Sequence, residues 1–517
     1  MVPPDPPPSS QPDFESVPES DAPAADDTVT EPIEVVETER DPDMKGPSLL
    51  GSRSFFRLWM AQVVSSLGDW TGLVAVLAIA ARVGGSSPEA AIGIVMSARL
   101  IPGFFLASVG GVLVDRLDRK KVMVYCDIGR GLVMASLPFV ESVAGLFVAS
   151  LFLEILTLLW SPAKEATVPN LVSARKLTTA NSLSLAAAYG TFPLGSALFA
   201  SLTKVAEFLG DNAGFLDFLT LNQESLAIYA DVLTFFTSAF LISTLTIPRR
   251  RAAEAQEPVA EPEVDRSTGR GMEPARAFSR TIEEVKEGWQ FIRTSPVVRS
   301  VMVGLGTGLI GGGMVAPLGP TFSTRVLHAG PAGFGLLLTA LGMGVAIGVV
   351  GLSTVQRRLP HHVIFPLAVI GAGACMMVAV SMSSLGPTML FITGMGICAG
   401  AVYVLGFTIL QESVDDDLRG RIFATLYTLS RLCLLVSLTL APLVAGALDG
   451  ISESIFGGSI SIGGLTVGLP GVRLTLWLGA SIILVAGVLA LRSLRAVRDE
   501  KSSGDAQSTR LPGSEPA

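Results

Sequence analysis

"GGVLVDRLDRKK" (Gly110–Lys121) places six charged side chains between Asp115 and Lys121, directly behind a long apolar run. A chain that changes character this abruptly has crossed from one solvent into another. The preceding run, about residues 89 to 113, has the length that a hydrocarbon core about 30 Å thick demands of a helix rising 1.5 Å per residue. The charged stretch then marks an aqueous turn between two buried helices.

The rest of the sequence repeats this pattern. With 49% hydrophobic and 16% charged residues in 517, and a mean hydropathy of +0.55, the chain is too apolar for an ordinary soluble domain. Apolar runs between charges, Gly/Pro clusters and polar breaks predict twelve spans, at about 55–82, 89–113, 121–140, 143–162, 177–203, 225–247, 297–323, 332–355, 363–383, 387–411, 421–448 and 471–491. Lipid offers backbone groups no partner, so the spans must be helical and the fold all-α.

The formal net charge of -8 is misleading, because residues 1–48 hold thirteen acidic and two basic side chains. That Pro-, Asp- and Glu-rich segment reads as a disordered tail, and residues 496–517 as a second one. The first apolar segment begins near Phe55, behind acidic rather than basic residues, so it reads as a retained span and not a secretory signal. Cys126, Cys375, Cys398 and Cys433 stand singly inside apolar stretches and read as packed side chains.

Loop charges predict the orientation. One side carries Arg116, Arg119, Lys120 and Lys121, then Lys164, Arg175 and Lys176, Arg249 to Arg251, Arg357 and Arg358, Arg419 and Arg421, and the tail from Arg492. The other side has little beyond Arg82, Lys204, Arg325 and Arg473. The basic side is predicted to be cytoplasmic, with both termini on it. Residues 249–296 form a polar linker whose second part is amphipathic, Ile282, Val285, Trp289 and Ile292 sharing one helical face. This linker separates six spans within 52–248 from six within 297–495. Two outward insertions, about 204–224 and 449–470, show no pattern.

The halves are related. Gly93–Val122 lies without gaps over Gly335–Ile364, with Arg116 over Arg358, Arg119 over His361 and Lys120 over His362. Six plus six spans with an internal repeat is a transporter pattern.

At these residues the sequence resembles the major facilitator superfamily. Gly111, Asp115, Arg116, Arg119 and Lys120 match its signature between helices 2 and 3, with Asp118 standing where a second Gly is usual. That replacement gives up glycine's left-handed freedom, which Asp tolerates better than most residues. More narrowly, the chain is similar to exporters of the enterobactin-exporter and macrolide-efflux type. The similarity is carried by "FFRLWMAQVVSSLGDW", "SARLIPG", "SPAKEATVPNLVSARKLTTANSL", "YADVLTFFTSAFL", "IEEVKEGWQFI" and "LQESVDDDLRGRIFA".

The resemblance implies two six-helix bundles in a bacterial inner or plasma membrane, a midplane cavity, and proton antiport of a moderately hydrophobic small molecule by a monomer. It also implies that Asp115 latches onto the N-terminus of helix 11 near Arg421, so that the motif gates the two halves. The plainer reading of the same basic loop is that it holds this side inside.

Ionisable residues within spans are costly and mark function by default. Asp69, Arg99, Glu154 and Arg431 are the coupling or substrate candidates. Asp69 or Glu154 is expected either to carry the proton or to sit in a buried ion pair, such as Asp69 with Arg99. Arg431 is expected to meet an anionic substrate group or a carboxylate. Asp127 and Arg130, three apart and near the cytoplasmic end of helix 3, read as a local structural pair. Asp231, near the outer end of helix 6, reads as a packing or interfacial residue.

Other signals are declined. "GTGLIG" (Gly306–Gly311) lies within an apolar span and is not a nucleotide loop, and no P-loop is present. His328, His361 and His362 lack ligand spacing. No cofactor, metal, nucleic acid or enzymatic activity is expected. Aromatic content of 7% argues against a large aromatic cage, although Phe104, Phe105 and Phe192 remain cavity candidates. Rival readings are a lipid or lysolipid flippase of the same fold, and a non-transporting scaffold or sensor using the acidic tail.

Overall fold

The computed structural model describes residues 49–115, 117–173, 176–212, 224–246, 295–355, 360–414, 416–457, 459–462 and 465–508. The acidic tail, the amphipathic part of the linker, Arg116 and Arg175 lie outside the described residues. The same holds for the side chains of Phe104, Phe105, Gly111, Asp115 and Arg421.

The first bundle comprises α1 (Arg53–Val83), α2 (Pro88–Asp115), α3 (Arg119–Ser136), α4 (Val143–Thr167), α5 (Leu177–Gly190), α6 (Phe192–Asn212) and α7 (Ser225–Ser243). The second comprises α8 (Pro296–Gly313), α9 (Val315–Thr321), α10 (Gly330–Val355), α11 (His361–Ser381), α12 (Leu385–Ser413), α13 (Asp416–Phe456) and α14 (Gly471–Ser508). Among the described residues eleven helical segments have the length and hydropathy to cross a membrane. The 28-residue α2, which carries the chain back between α1 and α3, makes the twelfth crossing. The face at which α1 begins is called proximal below, and the opposite face distal.

Two crossings are made of two pieces. α5 and α6 share one, interrupted at Thr191, because Pro193 has no N–H to give the Tyr189 carbonyl. α8 and α9 share another, which ends in a π-turn at Phe322–Val326. The break in the fifth crossing is held by α1: Trp59 Nε1 donates to Leu183 O at 3.0 Å, Gln62 Nε2 to Ser184 O at 2.8 Å, Trp70 Nε1 to Ala188 O at 2.8 Å and Thr71 Oγ1 to Gly195 O at 3.0 Å.

The insertion at 449–470 is built, contrary to the sequence expectation. β1 (Ser459–Ile462) pairs antiparallel with β2 (Leu465–Gly468). Buried Arg473 donates to Gly468 O at 2.7 Å, Met382 O at 2.9 Å and Ser383 Oγ at 3.0 Å, fixing the hairpin to the turn between α11 and α12. The other insertion shortens, since α6 runs on to Asn212. At the same face Glu224, which precedes α7 and is 5% exposed, lies 3.8 Å from Arg82 Nε. Burial pushes the Glu224 carboxyl up, against the opposing pull of its backbone hydrogen bond and Arg82.

The packing between bundles is distal. One apolar cluster unites the distal parts of α1, α2, α3, α4, α6 and α7 with Phe334 of α10 and Leu438 of α13. A second is confined to the proximal half of the first bundle and a third to the second bundle. Contact is close because glycine makes it so. A methyl at Gly93 would overlap the Leu438 carbonyl, and one at Gly335 would stand 2.9 Å from Phe199 and 3.0 Å from Ser196 O. These two glycines occupy the same position in the internal repeat. α2 therefore meets α13 as α10 meets α6.

Gly93→Ala should overpack this seam at a cost of about 1–3 kcal/mol. A lower melting temperature of the purified protein in detergent is expected, and an unchanged one would contradict the described contact. Because Glu224 holds its proton more tightly folded than unfolded, its contribution to stability falls as pH rises through the folded pKa. The stability of Glu224→Gln relative to the parent should therefore grow with pH, which melting curves across the mildly acidic to alkaline range would read.

Candidate functional site

A cavity of about 1100 Å³ lies between the bundles. Lys164, Glu165, Val168, Pro169 and Leu177, from the proximal ends of α4 and α5, stand at its mouth, and Leu77, Met96 and Leu438 at its distal floor. With the apolar seam closing the distal side, the cavity opens proximally. Its walls are unequal. The first bundle supplies Asp69, Arg99, Arg130, Glu154 and Asp231, whereas the second supplies only Ala316, Leu434 and Leu438 among the described lining residues.

The centre of the charged wall is Arg130 on α3, with 3% of its side chain exposed. Its guanidinium makes a short pair with Asp127 one turn earlier, and Nη1 lies 3.6 Å from Asp69 Oδ1 on α1. Its carbon sits over Phe235 of α7 at 4.6 Å from the ring centroid and over Trp160 of α4 at 5.3 Å. Ser238 of α7 donates to the remaining oxygen of Asp127 at 2.7 Å. One cation thus joins α1, α3, α4 and α7, and each of its contacts is one that a desolvated guanidinium favours.

This corrects two sequence expectations. Asp127 and Arg130 lie in the middle of α3, not near its end, and their pair extends to another helix. The cation within 4 Å of Asp69 is Arg130 and not Arg99. Asp69 keeps 44% of its side chain exposed to the cavity. Glu154 faces the same space, within electrostatic reach of Arg99, Asp69, Arg431 and Arg130 but with no cation within 4 Å among the described residues. Arg431 of α13 spans the seam and donates to Gly103 O of α2 at 3.1 Å. Among the described residues it meets a backbone carbonyl there and no carboxylate within 4 Å.

Asp231 is a packing residue that also borders the cavity. It is 1% exposed, lines the cavity and packs on α1 between Gly68 and Gly72, where a methyl at either glycine would overlap its carboxyl oxygens. The Gly-x-x-x-Gly spacing around Asp69 was the available signal for this close approach. Lys164, placed among the topological charges by its sequence, also faces the cavity, 5.9 Å from the Trp160 ring. Phe192 stacks edge-on against Trp70 at 4.8 Å.

At the proximal turn, Asp118 is the N-cap of α3. Its φ of -68° is extended-side backbone, and its carboxylate accepts from Lys120 N at 3.1 Å and Lys121 N at 3.2 Å. The left-handed conformation that a glycine would supply is not used. Arg119 donates to Ala166 O at 2.7 Å and Lys120 Nζ to Leu245 O at 2.8 Å, so the basic pair caps the ends of α4 and α7 within its own bundle. The expected Asp115 contact with α13, which begins at Asp416, involves side chains outside the described residues.

Two pseudo-symmetric six-helix bundles around a charged central cavity form an architecture that membrane transporters use to hold cargo between repeats. The chain belongs to the major facilitator superfamily, whose family model matches residues 58–438. It is 26% identical to the putative bacilysin exporter BacE of Bacillus subtilis over 411 residues, 77% of this chain and 92% of that protein. It is 25% identical to the multidrug efflux pump Tap of Mycobacterium tuberculosis over 379 residues, 72% and 83% of the two chains. Among solved structures it superposes on a bacterial homologue of the human lysosomal transporter Spinster, described as inward-facing and unoccupied. The TM-score is 0.62 at 14% identity, covering 86% of this chain and 97% of that one. The family and the many apolar helices make the protein a multi-pass membrane transporter.

Arg130→Gln would leave Asp127 buried without its cation. Breaking a buried pair in this way costs about 3–5 kcal/mol. A large loss of folded protein on size-exclusion chromatography is expected, partly recovered in the double variant with Asp127→Asn. Recovery absent in the double variant would refute the assigned pairing.

Proposed function

We infer that the protein exports a moderately hydrophobic small molecule by alternating access, with protons moving in the opposite direction. The observation that carries this reading is the cavity of about 1100 Å³, sealed distally and open proximally, with Glu154, which has no cation within 4 Å among the described residues, and half-exposed Asp69 facing its space. Its volume suits a drug-sized molecule. The basic proximal loops make that face cytoplasmic, so this state loads from inside the cell, both termini lying on the same side. The names of the relatives, a bacilysin exporter and a multidrug efflux pump, agree with outward movement.

The coupling assignment rests on the carboxylates. A proton must reach its carrier from water and leave to water, and Asp69 and Glu154 both touch the cavity. Proton binding at Asp69 would weaken its pair with Arg130 and so alter how α1 meets α3. The basic turn after α2 is proposed as the gate between halves, with Asp115 against the start of α13 and Gly111, Arg116, Arg119 and Lys120 completing the motif. A monomer suffices for this cycle, since each bundle supplies one wall.

The test compares small molecules inside and outside cells with and without the protein, in the presence and absence of a protonophore. Solutes enriched outside only when the gradient is intact are expected. Asp69→Asn and Glu154→Gln should each lower this gradient-driven export at least tenfold. Normal rates in both variants would overturn the coupling assignment, and no solute difference at all would overturn export.

A further inference from the structure

Three aspartates surround one buried cation, and they are not equivalent. Asp127 and Asp69 both contact Arg130. Asp231 is as deeply buried as Asp127, yet no cation stands within 4 Å of it among the described residues. The charged groups that face it are Asp69 on α1, Arg130 on α3 and Arg99 on α2, with Asp127 behind Arg130. From α6, Lys204 and Glu207 pair with each other at 2.7 Å in an exposed position. If all three aspartates were ionised, the cluster would carry more negative charge than Arg130 balances, in a site where unpaired charge is most costly.

The hydrogen bonding around Asp231 points the same way. Thr234 Oγ1 lies 2.7 Å from the backbone carbonyl of Asp231 and 3.1 Å from its Oδ1. A hydroxyl has one hydrogen, and the shorter contact takes it. The lone pairs of Thr234 Oγ1 are then left toward Oδ1, a geometry satisfied when the carboxyl itself carries the hydrogen and donates. The other side of the carboxyl lies against the bare backbone of Gly68 and Gly72, a surface that accommodates a neutral acid and supplies no side-chain donor.

We propose that Asp231 holds the exchanged proton while the cavity is open proximally, its acid hydrogen donated to Thr234 Oγ1, and that its release loosens α7 from the Gly68–Gly72 face of α1. This rests on the antiport reading above and places the stored proton on α7, with Asp69 as the exposed relay between it and cavity water. The step balances within the site. The acid O–H breaks, the proton passes through Asp69 to cavity water, and the remaining carboxylate is compensated by movement of Arg130 or Arg99 toward it. Asp231 is a positioning residue for transport and need not touch substrate.

The experiment is infrared spectroscopy of the purified full chain in phosphatidylcholine vesicles near neutral pH, reading the C=O stretch of protonated carboxyl groups. Asp231→Asn should remove the intensity of one carboxyl from this band, whereas Asp69→Asn should leave that component in place. Thr234→Val, which keeps the acid but removes its acceptor, should shift the same component in frequency. Equal band intensity in the parent and Asp231→Asn overturns the proposal. If Asp231→Asn does not fold, an unshifted band in Thr234→Val overturns it instead. A band assigned to Asp231 in vesicles that show no proton-driven transport would support the stored proton while removing antiport, so the two readings fail separately.

Discussion

A guanidinium in the middle of a hydrocarbon-spanning bundle has to be neutralised by its neighbours, and Arg130 sets that condition for the whole first half of the molecule. Its ion pairs fix α3 against α1, and its ring contacts fix it against α4 and α7. Each of these helices is therefore held at a defined rotation, with Asp69 and Asp231 brought to the cavity and not to lipid. Helix packing in lipid lacks a hydrophobic drive, so polar contacts of this kind carry much of the specificity. Removing the cation would disturb the position of every ionisable group the site contains.

The consequence is a division of labour between the bundles. The charged wall belongs to the first, where the Arg130 contacts and the side-chain hydrogen bonds from α1 to α5 and α6 make a stiff body. The second bundle presents an apolar face to the cavity, and its own cluster is continuous from Val298 to Ile483. Between described residues no ion pair joins the two bundles, and Arg431 reaches across to Gly103 O by a hydrogen bond.

Much of this was legible from residue type and spacing. Apolar run lengths located the crossings, the gapless repeat gave the two halves, and depth in the membrane singled out Asp69, Arg99, Glu154 and Arg431. What failed was pairing. The sequence suggests Arg99, one helix along the chain, as one example of a partner for Asp69, because sequence shows proximity only within a helix and its turn. Arg130 reaches Asp69 through packing between α1 and α3, which no periodicity encodes. Asp231 reads as a packing or interfacial residue from its place near a span end, and the α1 glycines on which it packs lie in a different segment. Asp118 was read as a damaged glycine position, although a residue just before a helix can serve equally as its cap.

The aligned glycines Gly93 and Gly335 carry one more implication. Each exposes bare backbone to the opposite bundle, so the distal closure is made of short-range dispersion and Cα–H contacts with carbonyls, worth at most about 1 kcal/mol apiece. Among the described residues no hydrogen bond or ion pair joins the halves around these two glycines, the Arg431 contact with Gly103 O lying deeper along α2. Adhesion of this type has short reach, a gap of about 0.5–1 Å forfeiting a quarter to a half of it. Side-chain volume at these two symmetric positions therefore sets how closely the halves meet on the distal side.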